Sequence, residues 1–360
     1  MTPDSYAAVI EALRAKVRAA HDAQRPLRIR GGGTRDFYGQ TLHGEPLDVA
    51  DCRGIVDYEP TELVLTARAG TPLAELEAIL AREGQMLAFE PPRFGAASTL
   101  GGAIATGLSG PRRMQAGSAR DFVLGVRLLD GCGTDLRFGG QVMKNVAGFD
   151  VSRLVAGALG TLGVLLEVSL KVLPLPPAEA TIVLETNEPD ALTTMNRWAG
   201  QPLPISATAL LDGRLYVRLS GAAPAVASAR QKLGGDEALG DDAGIAFWTS
   251  LRDQTHPFFA GNAPLWRLAL PSVAPPLELD GATLLEWTGA QRWLRGDIPA
   301  SVVREAAARH GGHATLFRHG EKTAGVFHPL SAPLQQLHRK LKHALDPAGI
   351  LNRGRMYAEF

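Results

Sequence analysis

Cysteine is almost absent from this chain: there are 2 in 360 residues, Cys52 and Cys132, far apart. That excludes a disulfide framework and any multi-cysteine metal or iron–sulfur site built by this chain alone, and it suits a reducing cytoplasm. An excess of charge of either sign is absent too, with 37 basic and 37 acidic residues. A neutral chain exerts no global pull on nucleic acid or an anionic membrane, so an anion bound here needs a local device. Long apolar runs are missing as well. The uncharged stretch Leu154 to Leu166 is broken by Gly157, Gly160 and Gly163 and falls well short of the roughly 20 residues that span a bilayer. The N-terminus has no apolar core of signal-peptide type; Val9, Ile10, Leu13 and Val17 instead share one face of a surface helix.

What is present is 45% hydrophobic residues with 40 Gly and 24 Pro, enough for true cores and for loops of unusual backbone geometry. Pro26 to Arg30 alternates apolar and basic residues as a strand does, then stops at Gly31-Gly32-Gly33-Thr34. Ile55 to Ala69 is strand-like, and Thr71-Pro72 predicts a capped helix with the buried stripe Leu73, Leu76, Ile79 and Leu80, closed at Gly84. Phe122 to Phe138 reads as a hairpin around Asp130-Gly131-Cys132-Gly133. A short helix from Val151 to Ala156 and a strand ending at Val172 follow, and then Pro174, Pro176 and Pro177 mark a boundary. Beyond it, short strands such as Leu210 to Leu219 and Trp266 to Leu270 mix with Ala-rich helices at Pro224 to Leu233 and Ser301 to His310. Pro333 to Leu345 is amphipathic and precedes an irregular tail. The expected fold class is α+β, with segments 1–176, 181–330 and 331–360.

Within Gly95 to Gly110, five positions are Gly and most others are Ala, Ser or Thr, so main chain there can be approached closely. The loop Gly31 to Thr34 has the same character. Two such loops can present N–H groups to one anion, and a pyrophosphate suits them. Neither G-x-G-x-x-G in a strand-turn-helix context nor G-x-x-x-x-G-K-[ST] occurs, which disfavours Rossmann and P-loop sites. For each loop taken singly, tight turns and close strand packing are the favoured account of the glycines; the two loops together point to a ligand.

Four motifs in order carry a resemblance: Arg30-Gly31-Gly32-Gly33-Thr34-Arg35-Asp36-Phe37-Tyr38-Gly39, Ser98-Thr99-Leu100-Gly101-Gly102, Lys144-Asn145-Val146-Ala147-Gly148 and Gly160-Thr161-Leu162-Gly163. Together they resemble the PCMH-type FAD-binding domain of the vanillyl-alcohol-oxidase superfamily, and more narrowly the E-subunit family of bacterial glycolate oxidases. Trp287 to Trp293 and Asp346 to Gly354 are similar to that family too. The resemblance implies a two-lobed FAD-binding domain, an α+β cap domain, and a C-terminal helix and tail returning to the FAD domain. It implies that Arg30, Gly31, Gly32, Gly33, Thr34, Ser98, Thr99, Leu100, Gly101 and Gly102 hold the pyrophosphate, with Thr106, Gly107 and Gly110 alongside. Gly117 and Asp121 would shape the adjoining loop, and Gly160, Thr161, Gly163 and Val164 would lie near the adenine.

Thr34 stands where relatives with covalent FAD carry a histidine, so the resemblance implies a noncovalent cofactor. Phe149 replaces a frequent tyrosine, and Arg353 a common proline. His319 to His328 lacks the Gly-Asp-Gly-Asn core of metal-bearing 2-hydroxyacid dehydrogenases, and no metal is expected. Oxidation of an alcohol carbon needs the flavin, an arginine for a substrate carboxylate and a base for the hydroxyl proton. Arg292, Arg295 and Arg318 are candidates for the first of these residues and His313 for the second, each with a structural role as its alternative. Arg112 and Arg113 would meet phosphate, a partner chain or solvent. The basic helix around His338 to His343 reads as a solvated face, with no nucleic acid as partner.

The implied activity is oxidation of a small 2-hydroxy acid such as glycolate, within a complex containing a larger FAD-binding glycolate oxidase subunit and an iron–sulfur subunit. With no transmembrane segment in this chain, the implied location is cytoplasmic, with peripheral membrane association through the complex. A free-standing FAD-dependent alcohol or 2-hydroxyacid oxidoreductase, and a noncatalytic scaffold that keeps the flavin fold, are the alternatives.

Overall fold

The computed structural model describes residues 3–140 and 150–360. The helix Pro3–Asp22 buries Tyr6, Ile10, Leu13 and Val17, spaced three or four apart, against Leu47, Leu129, Val164 and Leu166. Strands Leu27–Arg30 and Glu45–Asp48 pair in parallel beside it, and Leu351 bridges to Leu27 from the far end of the chain.

A five-stranded sheet comes next, in the spatial order Ile55–Glu59, Val64–Arg68, Val164–Lys171, Val123–Leu129 and Asp135–Gly139. Its middle strand, Val164–Lys171, is buried along nearly its whole length because both faces are covered. Leu165, Val168 and Leu170 meet the helices Leu73–Arg82 and Leu100–Thr106, while Val164 and Leu166 meet the first helix. Thr71 does not cap the helix Leu73–Arg82: the helix starts after Pro72, and the Thr71 hydroxyl instead accepts from the Gly54 N–H at 2.9 Å and donates to the Arg68 carbonyl at 2.7 Å.

From Ala178 the chain builds an eight-stranded sheet whose paired strands are antiparallel. The expected strand Leu210 to Leu219 is in fact a hairpin, Ile205–Leu211 and Arg214–Gly221. Asp212 at φ 49° and Gly213 at φ 73° turn it, the left-handed pair that matches strand twist. Along Ile205–Leu211 side chains alternate. Leu210 faces the helices Glu188–Ala199 and Ala223–Leu233, whereas Ala207, Ala209 and Leu211 face Tyr38, Leu108 and Leu159 of the first half. One sheet face is thus sealed by two of its own helices and the other by the N-terminal half together with the helix Asp241–Arg252. The last helix, Ala332–Leu345, sets Leu341 and Leu345 against the N-terminal core.

Candidate functional site

Where the strand Leu27–Arg30 ends, its glycine loop lies directly on the segment before the helix Leu100–Thr106. A β-carbon on Gly31 would stand 2.7 Å from the Thr99 hydroxyl oxygen, and Gly33 sits at φ +69°. The N–H groups of Gly31, Gly32, Gly33, Thr34 and Arg35 donate to no group among the described residues. Thr99 holds the facing segment, its hydroxyl accepting from the Gly102 N–H at 3.3 Å. Both loops therefore border one cleft, and one of them lines it with unspent donors, the geometry of an anion cradle.

Two arginines reinforce the cradle. Arg35 is buried; its Nη1 donates to Ser98 Oγ at 2.6 Å and Thr34 Oγ1 at 3.3 Å, its Nη2 to the Pro92 carbonyl, and its Nε has no partner. Arg355 reaches in from the C-terminal tail, donating to the Arg35 carbonyl at 3.0 Å and the Gln40 carbonyl at 3.1 Å. Burial pushes each guanidinium down to about 10. Neither has a carboxylate within ion-pair distance among the described residues. Asp253 acts on Arg35 and Asp36 on Arg355 only from beyond that distance; a buried cation short of close counter-charge is costly, and an anion in the cleft would supply it.

The tail is held in place by polar contacts. Asn352 accepts from the Ile29 N–H at 2.8 Å and donates to the Leu159 carbonyl at 2.6 Å, joining the two walls of the cleft. Lys342 donates to the carbonyls of Thr161 at 2.8 Å and Leu351 at 2.7 Å and pairs with Asp346 at 2.7 Å, all buried. Away from the arginines the cleft is apolar, walled by Ile29, Val49, Ala69 and Leu165, a lining suited to a flat ring.

Of the residues expected to bind cofactor, Arg30, Gly31, Gly32, Gly33, Thr34, Thr99, Gly101, Gly102, Thr106, Gly160 and Gly163 line this cleft. Ser98 supports Arg35 from below, and Leu100 and Val164 lie in the core. Thr161 is buried, its hydroxyl donating to the Ala158 carbonyl at 2.7 Å. Gly107 closes the helix Leu100–Thr106 at φ 62°. Gly110 packs on Glu90, and its carbonyl accepts the Trp287 indole N–H at 3.0 Å. Gly117 and Asp121 form a local turn; burial opposes the Asp121 charge, but the hydroxyl and N–H of Ser118 hold the carboxyl low. Lys144 to Gly148 and Phe149 fall outside the described residues.

The catalytic candidates separate more sharply. Arg292 is spent inside the cap, donating to the carbonyls of Gly289 at 3.2 Å, Pro275 at 2.6 Å and Ala274 and pairing with Glu188 at 3.7 Å. Arg295 donates to the Ala260 carbonyl at 2.5 Å. His313 and Arg318 begin and end one strand, which sets them roughly 16 Å apart. Arg318 lines a cavity next to the cleft, and His313 lines neither. Arg112 is neither solvated nor at the cleft: it pairs with Glu179 at 2.6 Å and Glu90 at 3.5 Å, while Arg113 stacks on Trp287. Arg35 and Arg355 went unassigned as binding residues because nothing in their spacing marks a guanidinium as unpaired.

Residues 3–139 match the model of an FAD binding domain family. The fold is similar to that of p-cresol methylhydroxylase, with a TM-score of 0.69 at 15% identity over 96% of this chain and 87% of that one. It is also similar to alkyldihydroxyacetonephosphate synthase, with a TM-score of 0.66 at 16% identity over 95% and 75%. The architecture is a PCMH-type FAD-binding domain followed by an α+β cap domain. Within that class the chain is 49% identical over 349 residues, 97% of each chain, to glycolate oxidase subunit GlcE of Escherichia coli (strain K12), and it belongs to that family of FAD-dependent oxidoreductase subunits. Glycolate oxidase subunit GlcD of Bacillus subtilis (strain 168) is 33% identical over 161 residues, 44% of this chain and 34% of that one. Among the described residues no helix is long and apolar enough to cross a membrane.

Proposed function

We propose that the cleft holds FAD noncovalently and that the protein is the FAD-binding E subunit of a glycolate-oxidase-like complex. The observation that carries this reading is the run of unspent N–H groups from Gly31 to Arg35 set beside two buried, unpaired guanidiniums. A diphosphate satisfies both at once: the backbone takes its oxygens, and Arg35 and Arg355 take its charge. Gly160 and Gly163 line the end of the cleft we assign to the adenine, and no His, Cys or Tyr lines the cleft among the described residues, which supports a noncovalent hold.

FAD bound there would supply the electron acceptor for oxidation of a 2-hydroxy acid to the 2-oxo acid. The chain's own contribution is to fix the cofactor's charge, shield it within the N-terminal half and seal the cleft with the tail. With only 2 cysteines, the chain requires an iron–sulfur partner to pass electrons on one at a time. A larger flavin subunit akin to the GlcD relative completes the proposed complex, which any membrane attachment would involve.

The test is purification from the native host under mild conditions, followed by absorption spectroscopy and acid precipitation. Flavin bands at close to one FAD per chain, with all the flavin released into the supernatant, support the reading. A chain that stays colourless after incubation with excess FAD, or flavin that stays with the pellet, overturns it.

A further inference from the structure

A second cavity, about 850 Å³, adjoins the cofactor cleft, and Thr34 lines both. Its walls come from both halves of the protein: Phe37, Phe94 and Ser98 on one side, Asp253, Thr255 and Arg318 on the other. Resting on the cofactor reading above, we propose that this cavity binds a carboxylic acid with a sizeable apolar body, Arg318 taking the carboxylate and Phe37 and Phe94 the body.

Charge accounting points to Arg318. Of the other titratable side chains on its walls, His319 is exposed, and the carboxylate and the second guanidinium are already matched. Asp253 accepts from Arg252 at 2.9 and 2.8 Å and from the Arg93 N–H at 3.0 Å, and Arg93 pairs with Glu77. Arg318 has no carboxylate, carbonyl or hydroxyl within hydrogen-bond reach among the described residues. Its guanidinium carbon instead lies 4.3 Å from the ring centre of Phe37, 5.1 Å from Phe94 and 5.8 Å from Phe317. Burial pushes its pKa down, as expected for a cation that has lost water and gained no anion.

Stacking on rings occupies the faces of a guanidinium and leaves its edge N–H groups free. Those are the donors that grip a carboxylate in a bidentate pair, and the stack holds them in one orientation beforehand. The shape of the cavity then sets the class of acid. A two-carbon acid leaves the walls of Phe37, Phe94, Ala74 and Ala96 facing water, whereas a 2-hydroxy acid with an aromatic or branched side chain covers them.

The experiment is calorimetric titration of the FAD-loaded chain with 3-phenyllactate and with glycolate, beside FAD content measured on the same samples. Saturable 1:1 binding of 3-phenyllactate is expected, roughly tenfold or more tighter than glycolate. Arg318→Ala is expected to weaken it roughly tenfold to a hundredfold, and Arg318→Lys by less, with FAD content unchanged. If Arg318→Ala loses FAD as well, Arg318→Gln, which keeps a planar polar head without the charge, is read in its place. Full FAD content with no 3-phenyllactate binding, equal binding by the Arg318 variants, or glycolate bound as tightly overturns this inference and leaves the cofactor reading standing. An unmodified chain that takes up no FAD overturns both.

Discussion

A β-carbon on Gly32 would stand 1.5 Å from the carbonyl oxygen of Ala97, so the two glycine-bearing loops meet main chain to main chain. Gly32→Ala is therefore expected to force them apart, an overpacking that costs about 1–3 kcal/mol and opens the cradle. The variant should lower both the thermal midpoint and FAD per chain, whereas Gly84→Ala, at a glycine with no heavy atom within 4 Å of the built carbon, should lower the midpoint less and spare the FAD. Full FAD occupancy in Gly32→Ala would contradict the cradle.

Arg355 touches only carbonyls, so a structural role and a charge role make different forecasts. Arg355→Lys keeps the charge but loses the fork, and Arg355→Met loses both. FAD affinity should fall in the order wild type, Lys, Met, by roughly tenfold or more for Met. In wild type it should weaken with added salt more steeply than in Arg355→Met. A parallel salt response in all three proteins would rule out the charge role.

Glu286 lies buried between Trp293 Nε1 at 2.6 Å and Gln291 Nε2 at 2.9 Å, and burial pushes its carboxyl up from 4.5 to about 7. Because the folded value is the higher, its protonated form stabilises the fold fully below pH 4.5, and that stability is lost as pH rises through about 7. Glu286→Gln keeps an acceptor and removes the titration. Its thermal midpoint relative to wild type should climb from pH 4.5 to above 7, with a limit of about 3 kcal/mol. A difference that does not vary with pH would refute the assignment.

Lys342 and Asp346 form a buried pair whose remaining hydrogen bonds hold residues 161, 350 and 351. Lys342→Met strands the carboxylate and should cost about 3–5 kcal/mol in denaturant unfolding. Lys342→Met combined with Asp346→Leu should cost less than the two single changes added together.

How far the sequence foretold this arrangement depends on the range of the interaction. The meeting of Gly31–Gly33 with the Ser98–Gly102 segment was legible because side-chain-poor loops leave a compositional mark at both ends. The hairpin at Asp212-Gly213 was missed because apolar residues on both sides blur into one run, although the Asp-Gly pair itself carried the turn signal. Arg292 drew notice through its neighbours Trp287 and Trp293, yet its acceptors at Ala274, Pro275 and Gly289 are backbone atoms, which no side-chain pattern reveals. Arg318 and Arg292 look alike as letters. What separates them is which partners the fold brings near.

Asn352 and Arg355 follow the cap in the chain, yet they line a cleft whose other walls come from residues 29–165. During translation the residues of those walls leave the ribosome long before Asn352 and Arg355 do. A nascent chain thus presents only an open trough until the cap has been made, and the cleft gains its last wall when residues 352 and 355 join it. A chain stopped just before Asn352 would keep every strand of both sheets and lack one wall of the cleft.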